Sequence, residues 1–187
     1  TTGILYIISV LEKLIIIKGD LMETLRHLDG EISDAVTDRF LRYVRFDTES
    51  FDNGGKEIPS SPGQMDLAKH VVEEADGMGI EGTIQPFGVE LILPATVQGK
   101  KSTAFTAHLD KVAPGNGVKP IVHDNYDGRD LVLDGRITTV REFPDLAKHI
   151  GKTVITSDGT TVLGADDCAG LAEIMTAFEV IKNYNLP

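Results

Sequence analysis

Apolar residues recur along this chain with two different periods, and the switches between them mark out its elements. From Asp34 to Phe46, Val36, Phe40, Leu41 and Val44 fall on one helix face, and Asp34 stands where an N-cap would. Residues 47–61 are rich in Asp, Gly, Ser and Pro and read as a loop. Met65, Leu67, Ala68, Val71 and Val72 then predict a second helix over 63–77, ended by Gly77-Met78-Gly79. Extended runs follow at 82–86, 90–96 and 102–107, with Gly99, Lys100 and Lys101 turning the chain between the last two.

Residues 111–150 are less regular. Turns are predicted at 114–117, Asp127-Gly128 and Asp134-Gly135, around a short strand at 130–133 and a short helix at 143–150. Thr153-Val154-Ile155-Thr156 reads as another strand. Leu171, Ile174, Met175, Phe178 and Ile181 give a closing helix one apolar face. No internal repeat or low-complexity tract interrupts the order, which predicts a layered α/β domain.

The first 33 residues stand apart. Gly3 to Lys18 is apolar but broken by Glu12 and Lys13, too short and too charged for a spanning helix. A secretory signal would need a basic start and a small-residue cleavage site. The chain opens on Thr1, and its first methionine is Met22. Residues 1–33 therefore read as an N-terminal extension outside the core, and removal up to Met22 is expected to leave stability intact. The competing reading is an amphipathic helix packed on the domain or on a partner.

Composition narrows the function. With 187 residues, 41% of them hydrophobic, the chain can bury a core of its own. A net charge of -11 argues against nucleic acid or an anionic membrane as partner, since both reward clustered Lys and Arg. The single cysteine, Cys168, excludes an intramolecular disulfide and fits a reducing, cytoplasmic setting.

The candidate chemistry sits in two short segments, Ala107-His108-Leu109-Asp110 and Gly164-Ala165-Asp166-Asp167. In an extended segment His108 and Asp110 point to the same side, so the carboxylate can orient an imidazole whose other nitrogen holds a metal. Either feature alone is weak: a histidine at a strand end is ordinarily structural, and an aspartate before a helix is ordinarily a cap. Two adjacent acids exceed what capping needs, which leaves one for a metal. The spacing permits either Asp166 or Asp167 to be that one.

The stretch His108-Leu-Asp-Lys-Val-Ala-Pro-Gly115 resembles the first metal motif of the co-catalytic di-zinc exopeptidases and deacylases. Residues 151–175, running through Gly164-Ala-Asp-Asp-Cys168, resemble more closely the peptidase T branch, the tripeptide aminopeptidases. Phe40-Leu-Arg-Tyr-Val44, Asp47-Thr-Glu-Ser50 and Pro59-Ser-Ser-Pro-Gly-Gln64 are similar to that branch as well. The resemblance implies a layered αβα catalytic-domain core over residues 34–187, two zinc ions and a small peptide substrate. It implies His108 as a zinc ligand, Asp110 as the catalytic-site carboxylate that orients it, and Asp166 as the acid bridging both metals.

Two departures accompany it. Cys168 stands where the family usually has lysine, either as an adventitious thiolate ligand or as a small structural residue. The family's Glu-Glu pair, later Asp and distant His do not follow Asp166 before Pro187. The chain is therefore expected to be an N-terminal portion, without the lid or dimerisation domain through which a full-length chain would form a homodimer. Alone it is expected to bind zinc weakly and to show no turnover. The alternatives are an inactive fragment, a metal- or protein-binding module, or another di-zinc hydrolase of the same family.

Overall fold

The computed structural model describes residues 26–52, 54, 57–96 and 102–186. Helix α1 spans Asp29–Tyr43 and α2 spans Pro62–Gly77. Strands β1 (Glu81–Gln85) and β2 (Gly88–Ile92) form an antiparallel hairpin against α2. Strand β3 (Pro120–His123) pairs antiparallel with β6 (Val154–Ser157). Between them lie the β4–β5 hairpin (Leu131–Leu133 and Arg136–Thr138) and a 3-10 helix, Pro144–His149. Helix α3, Ala165–Asn183, closes the order.

The α2 boundaries follow from local chemistry. Pro62 at its first turn has no amide to leave unbonded. At the other end Gly79, at φ +68°, lets its own amide reach the Asp76 carbonyl and that of Ile80 reach Ala75.

The core forms where α1 and α3 pack with α2, burying Phe40, Tyr43, Leu67, Val71, Ala172 and Met175 with Ile155 of β6. Tyr126, Leu131, Leu146 and Val154 make a smaller second cluster. Across α1 and α2, Glu74 accepts from Arg39 (2.7 Å), Tyr43 (2.7 Å) and Arg42 (3.1 Å), while Arg39 also pairs with Glu179 of α3 at 2.8 Å. Burial would raise the Glu74 pKa, but these donors hold it down at about 2.

Several elements differ from the sequence reading. Residues 102–107 do not form a buried strand: they carry no regular secondary structure, are largely exposed and lie outside every described ladder. An apolar alternation makes a strand only when another strand accepts its backbone. The second extended run ends at Ile92 rather than residue 96, and the turn expected around 99–101 lies outside the described residues. Helix α1 begins at Asp29, so Asp34 lies inside it rather than capping it, and Ile32 joins the core. The helix thus runs across the expected boundary between residues 33 and 34, while residues 1–25 lie outside the described residues. Strands β3 and β5 carried too short an apolar pattern to be read.

Candidate functional site

His108 and Asp166, 58 positions apart, meet with His108 Nε2 2.9 Å from Asp166 Oδ1. On the other side of the ring, His108 Nδ1 lies 2.9 Å from the Asp110 backbone oxygen and 3.2 Å from its Oδ1. His108 and Asp110 therefore do lie on the same side of their segment. The two halves of the site converge, though not at the ends of neighbouring strands: His108 follows the unpaired 102–107 stretch, and Asp166 opens α3.

The two acids at α3 divide their work. Asp166 and Asp167 depart from helical dihedrals, so the regular helix starts at Cys168. Asp167 Oδ1 accepts from the Gly170 amide at 3.1 Å, as an N-cap side chain does. Asp166 is 96% exposed and turned toward His108. Cys168 is 1% exposed, and burial pushes its thiol up to about 11. It packs as a small neutral core residue rather than offering a thiolate.

Sequence reasoning missed the support beneath this pair. Ser50 Oγ donates to Asp110 Oδ2 at 2.5 Å and fixes the carboxylate that faces His108. The backbone of Lys111 bonds Thr48 (3.1 Å) and Ser50 (2.9 Å), with a parallel bridge to Glu49. Glu49 Oε2 accepts from the Gly115 amide and Asp47 Oδ1 from that of Gly117, both at 2.7 Å. The loop after α1 thus clamps the 108–117 segment from both ends. The available signal was Asp47-Thr-Glu-Ser50, which joined the resemblance without an assigned role.

The ring environment favours positive charge. Burial lowers the His108 pKa, but the Asp166 hydrogen bond and the Asp110 charge outweigh it and raise the value overall. An imidazole nitrogen and a carboxylate oxygen are donors that zinc accepts. They are two, however, and among the described residues no group of three His, Cys, Asp or Glu converges to hold a metal. The pair fits part of a zinc site and does not complete one.

An apolar groove of about 470 Å³ leads away from His108 and Asp110 between α2, the β1–β2 hairpin and α3, walled by Met65, Val71, Leu91, Ile174 and Phe178.

The chain is 45% identical over 154 residues to peptidase T of Listeria monocytogenes serotype 4b (strain F2365), covering 78% of this chain and 37% of that protein. It is 44% identical over 160 residues to peptidase T of Clostridium novyi (strain NT), covering 81% and 39%. Its coordinates match the crystal structure of an aminopeptidase PepT from Bacillus cereus ATCC 10987 with a TM-score of 0.55 at 29% identity, covering 82% of this chain and 33% of that one. A tripeptidase from Staphylococcus aureus subsp. aureus mu50 matches with a TM-score of 0.54 at 26% identity, with the same coverage. No protein-family model matches the chain. The chain spans about two fifths of the length of these curated relatives. The expected α/β class and the resemblance to peptidase T both hold.

Proposed function

We propose, on the premise that this chain is a relative of the peptidase T proteins over about four fifths of its length, that it contributes one part of a zinc-dependent tripeptide aminopeptidase site. In this reading His108 and Asp166 are metal ligands, and Asp110 orients His108. The observation that carries it is the ring's two-sided arrangement. A neutral imidazole has one donor and one acceptor nitrogen; with Asp110 accepting the Nδ1 proton, a cation that displaces the Nε2 proton from its contact with Asp166 would meet the Nε2 lone pair and the Asp166 carboxylate together.

Bound zinc would supply a Lewis acid for the peptide carbonyl and a water acidified toward neutral pH. The chain's own residues do the positioning: Ser50 holds Asp110, Asp110 holds the ring, and Asp167 caps α3 so that Asp166 stays free. The apolar groove beside His108 suits the side chains of a short peptide. Two zinc ions, a cytoplasmic setting and, in a longer chain, a homodimer complete the proposal. No helix among the described residues is long and apolar enough to cross a membrane.

Among the described residues no third donor joins the pair, which favours a second reading of the chain by itself, as a partial site without turnover. A chimera separates the two. Residues 34–187 would replace the matching stretch of a peptidase T relative, and tripeptide hydrolysis would be followed with zinc and with a chelator. Chelator-sensitive release of the N-terminal residue, lost on His108→Ala or Asp166→Ala, is expected. A folded, zinc-loaded chimera without turnover would overturn the aminopeptidase reading.

A further inference from the structure

Lys111 follows Asp110 in sequence and is completely buried. Lysine is almost never buried to this extent, because removing an ammonium from water costs several kcal/mol. Here Nζ donates to the Val44 carbonyl at 2.8 Å, just past the end of α1. The backbone of the same residue is bonded on both sides to the loop after α1, through Thr48 and Ser50. Its aliphatic stem lies across Gly164: a Cβ on that glycine would fall 2.4 Å from Lys111 Cδ and 3.0 Å from Cγ. Gly164 has φ +77° and stands two residues before Asp166. One side chain therefore touches α1, the segment carrying His108 and Asp110, and the residue that delivers Asp166.

We infer that Lys111 is a positioning residue: its buried stem, seated between the Val44 carbonyl and Gly164, sets the His108–Asp166 separation and so the cation affinity of the pair. The affinity part rests on the metal reading proposed above, whereas the separation does not. The ammonium anchors the end of the stem, and the methylenes act as the spacer. Lys111→Met keeps most of the spacer, Lys111→Ala removes it, and Gly164→Ala pushes it aside.

The test uses the whole chain and two measurements. The first, without metal, is the imidazole ¹⁵N spectrum, with His108 assigned by loss of its signals in His108→Gln. The second is Co²⁺ binding followed by its d–d absorption. Lys111→Met should keep the His108 signals near those of the parent. Lys111→Ala and Gly164→Ala should each move them toward those of an exposed histidine and weaken Co²⁺ binding at least tenfold. The double variant Gly164→Ala/Lys111→Ala should lie closer to the parent than Gly164→Ala alone, because the clash is gone. A merely structural loss would instead add in the double variant. Unchanged His108 signals in Gly164→Ala would overturn the inference, even if Lys111→Ala fails to fold. A parent chain that binds no Co²⁺ while its ¹⁵N signals respond as described would count against the metal reading and leave the positioning role standing.

Discussion

A Cβ on Gly63 would lie 1.9 Å from the carbonyl oxygen of Asp47, so the first turn of α2 and the loop after α1 meet backbone to backbone. No rotamer change relieves a contact of that kind, and the helix end or the loop has to move. That loop also carries Thr48 and Ser50, which hold Lys111 and Asp110. Gly63→Ala should therefore cost about 2–3 kcal/mol, in the range of other overpacked sites. Gly77→Ala is the internal control, since nothing lies within 4 Å of its added methyl. It should be neutral or stabilising by up to about 1 kcal/mol. Urea midpoints measured side by side decide the matter, and equal midpoints for the two variants would refute the contact.

Acid should weaken the protein through Glu74. Its carboxyl titrates at about 2 in the fold against an ordinary 4.5. A depressed carboxyl contributes stability that is fully present above 4.5 and is lost as the pH falls toward 2. The gap corresponds to roughly 3 kcal/mol. Glu74→Gln should flatten the fall of the urea midpoint over that window. It should also lower the midpoint at neutral pH, because Arg42 and Arg39 lose a charged partner, although Arg39 keeps Glu179. An unchanged acid slope in the variant would show that other carboxyls carry the effect.

The Glu74 cluster shows where sequence reading stops. Periodicity located α2 and β6 to within a residue or two, because their apolar positions repeat within one element. It could not bury Arg39 or Tyr43, whose burial depends on a carboxylate 35 and 31 positions away. The 102–107 stretch failed for a related reason, since its pattern was that of a strand but its partner was not in the pattern. At the site, His108 and Asp110 were legible as a local pair. Their meeting with Asp166 came from a family resemblance and not from spacing. The buried lysine beneath them left no trace in composition or period.

The two adjacent acids should separate cleanly by experiment. Asp167→Ala removes the bond to the Gly170 amide and should cost about 1 kcal/mol, the usual effect of losing a helix cap. Asp166→Ala removes an exposed side chain whose ion pair with His108 is worth no more than about 1 kcal/mol. Thermal denaturation should show a clear loss for the first variant and little for the second, while the second loses metal binding. The opposite ranking in stability would mean that the acids have exchanged roles.

Burial makes a simple forecast for Cys168. At 1% exposure its sulfur is out of reach of a thiol reagent in the folded chain. Labelling by a maleimide should be slow in buffer and fast above the urea midpoint, with a rate that tracks global unfolding. Rapid labelling of the native chain would show that the start of α3 opens locally, close to Asp166.

The last expectation concerns zinc itself. A catalytic zinc takes three protein ligands and a water, and His108 with Asp166 offers two. Their mutual ion pair also has to be broken before a cation enters, since Nε2 and Oδ1 stand 2.9 Å apart. This chain should bind zinc with a dissociation constant of about 1 µM or weaker, or no more than about 8 kcal/mol of binding free energy. Titration against a chromophoric chelator measures this directly, and His108→Ala should abolish what binding there is. The same preparation, given a tripeptide and added zinc, should release no N-terminal amino acid, because a metal held by only two protein groups is retained too weakly to stay in place through turnover. Nanomolar affinity with chelator-sensitive turnover would show that further ligands are supplied from groups outside the pair, and that the site is more complete than its described residues.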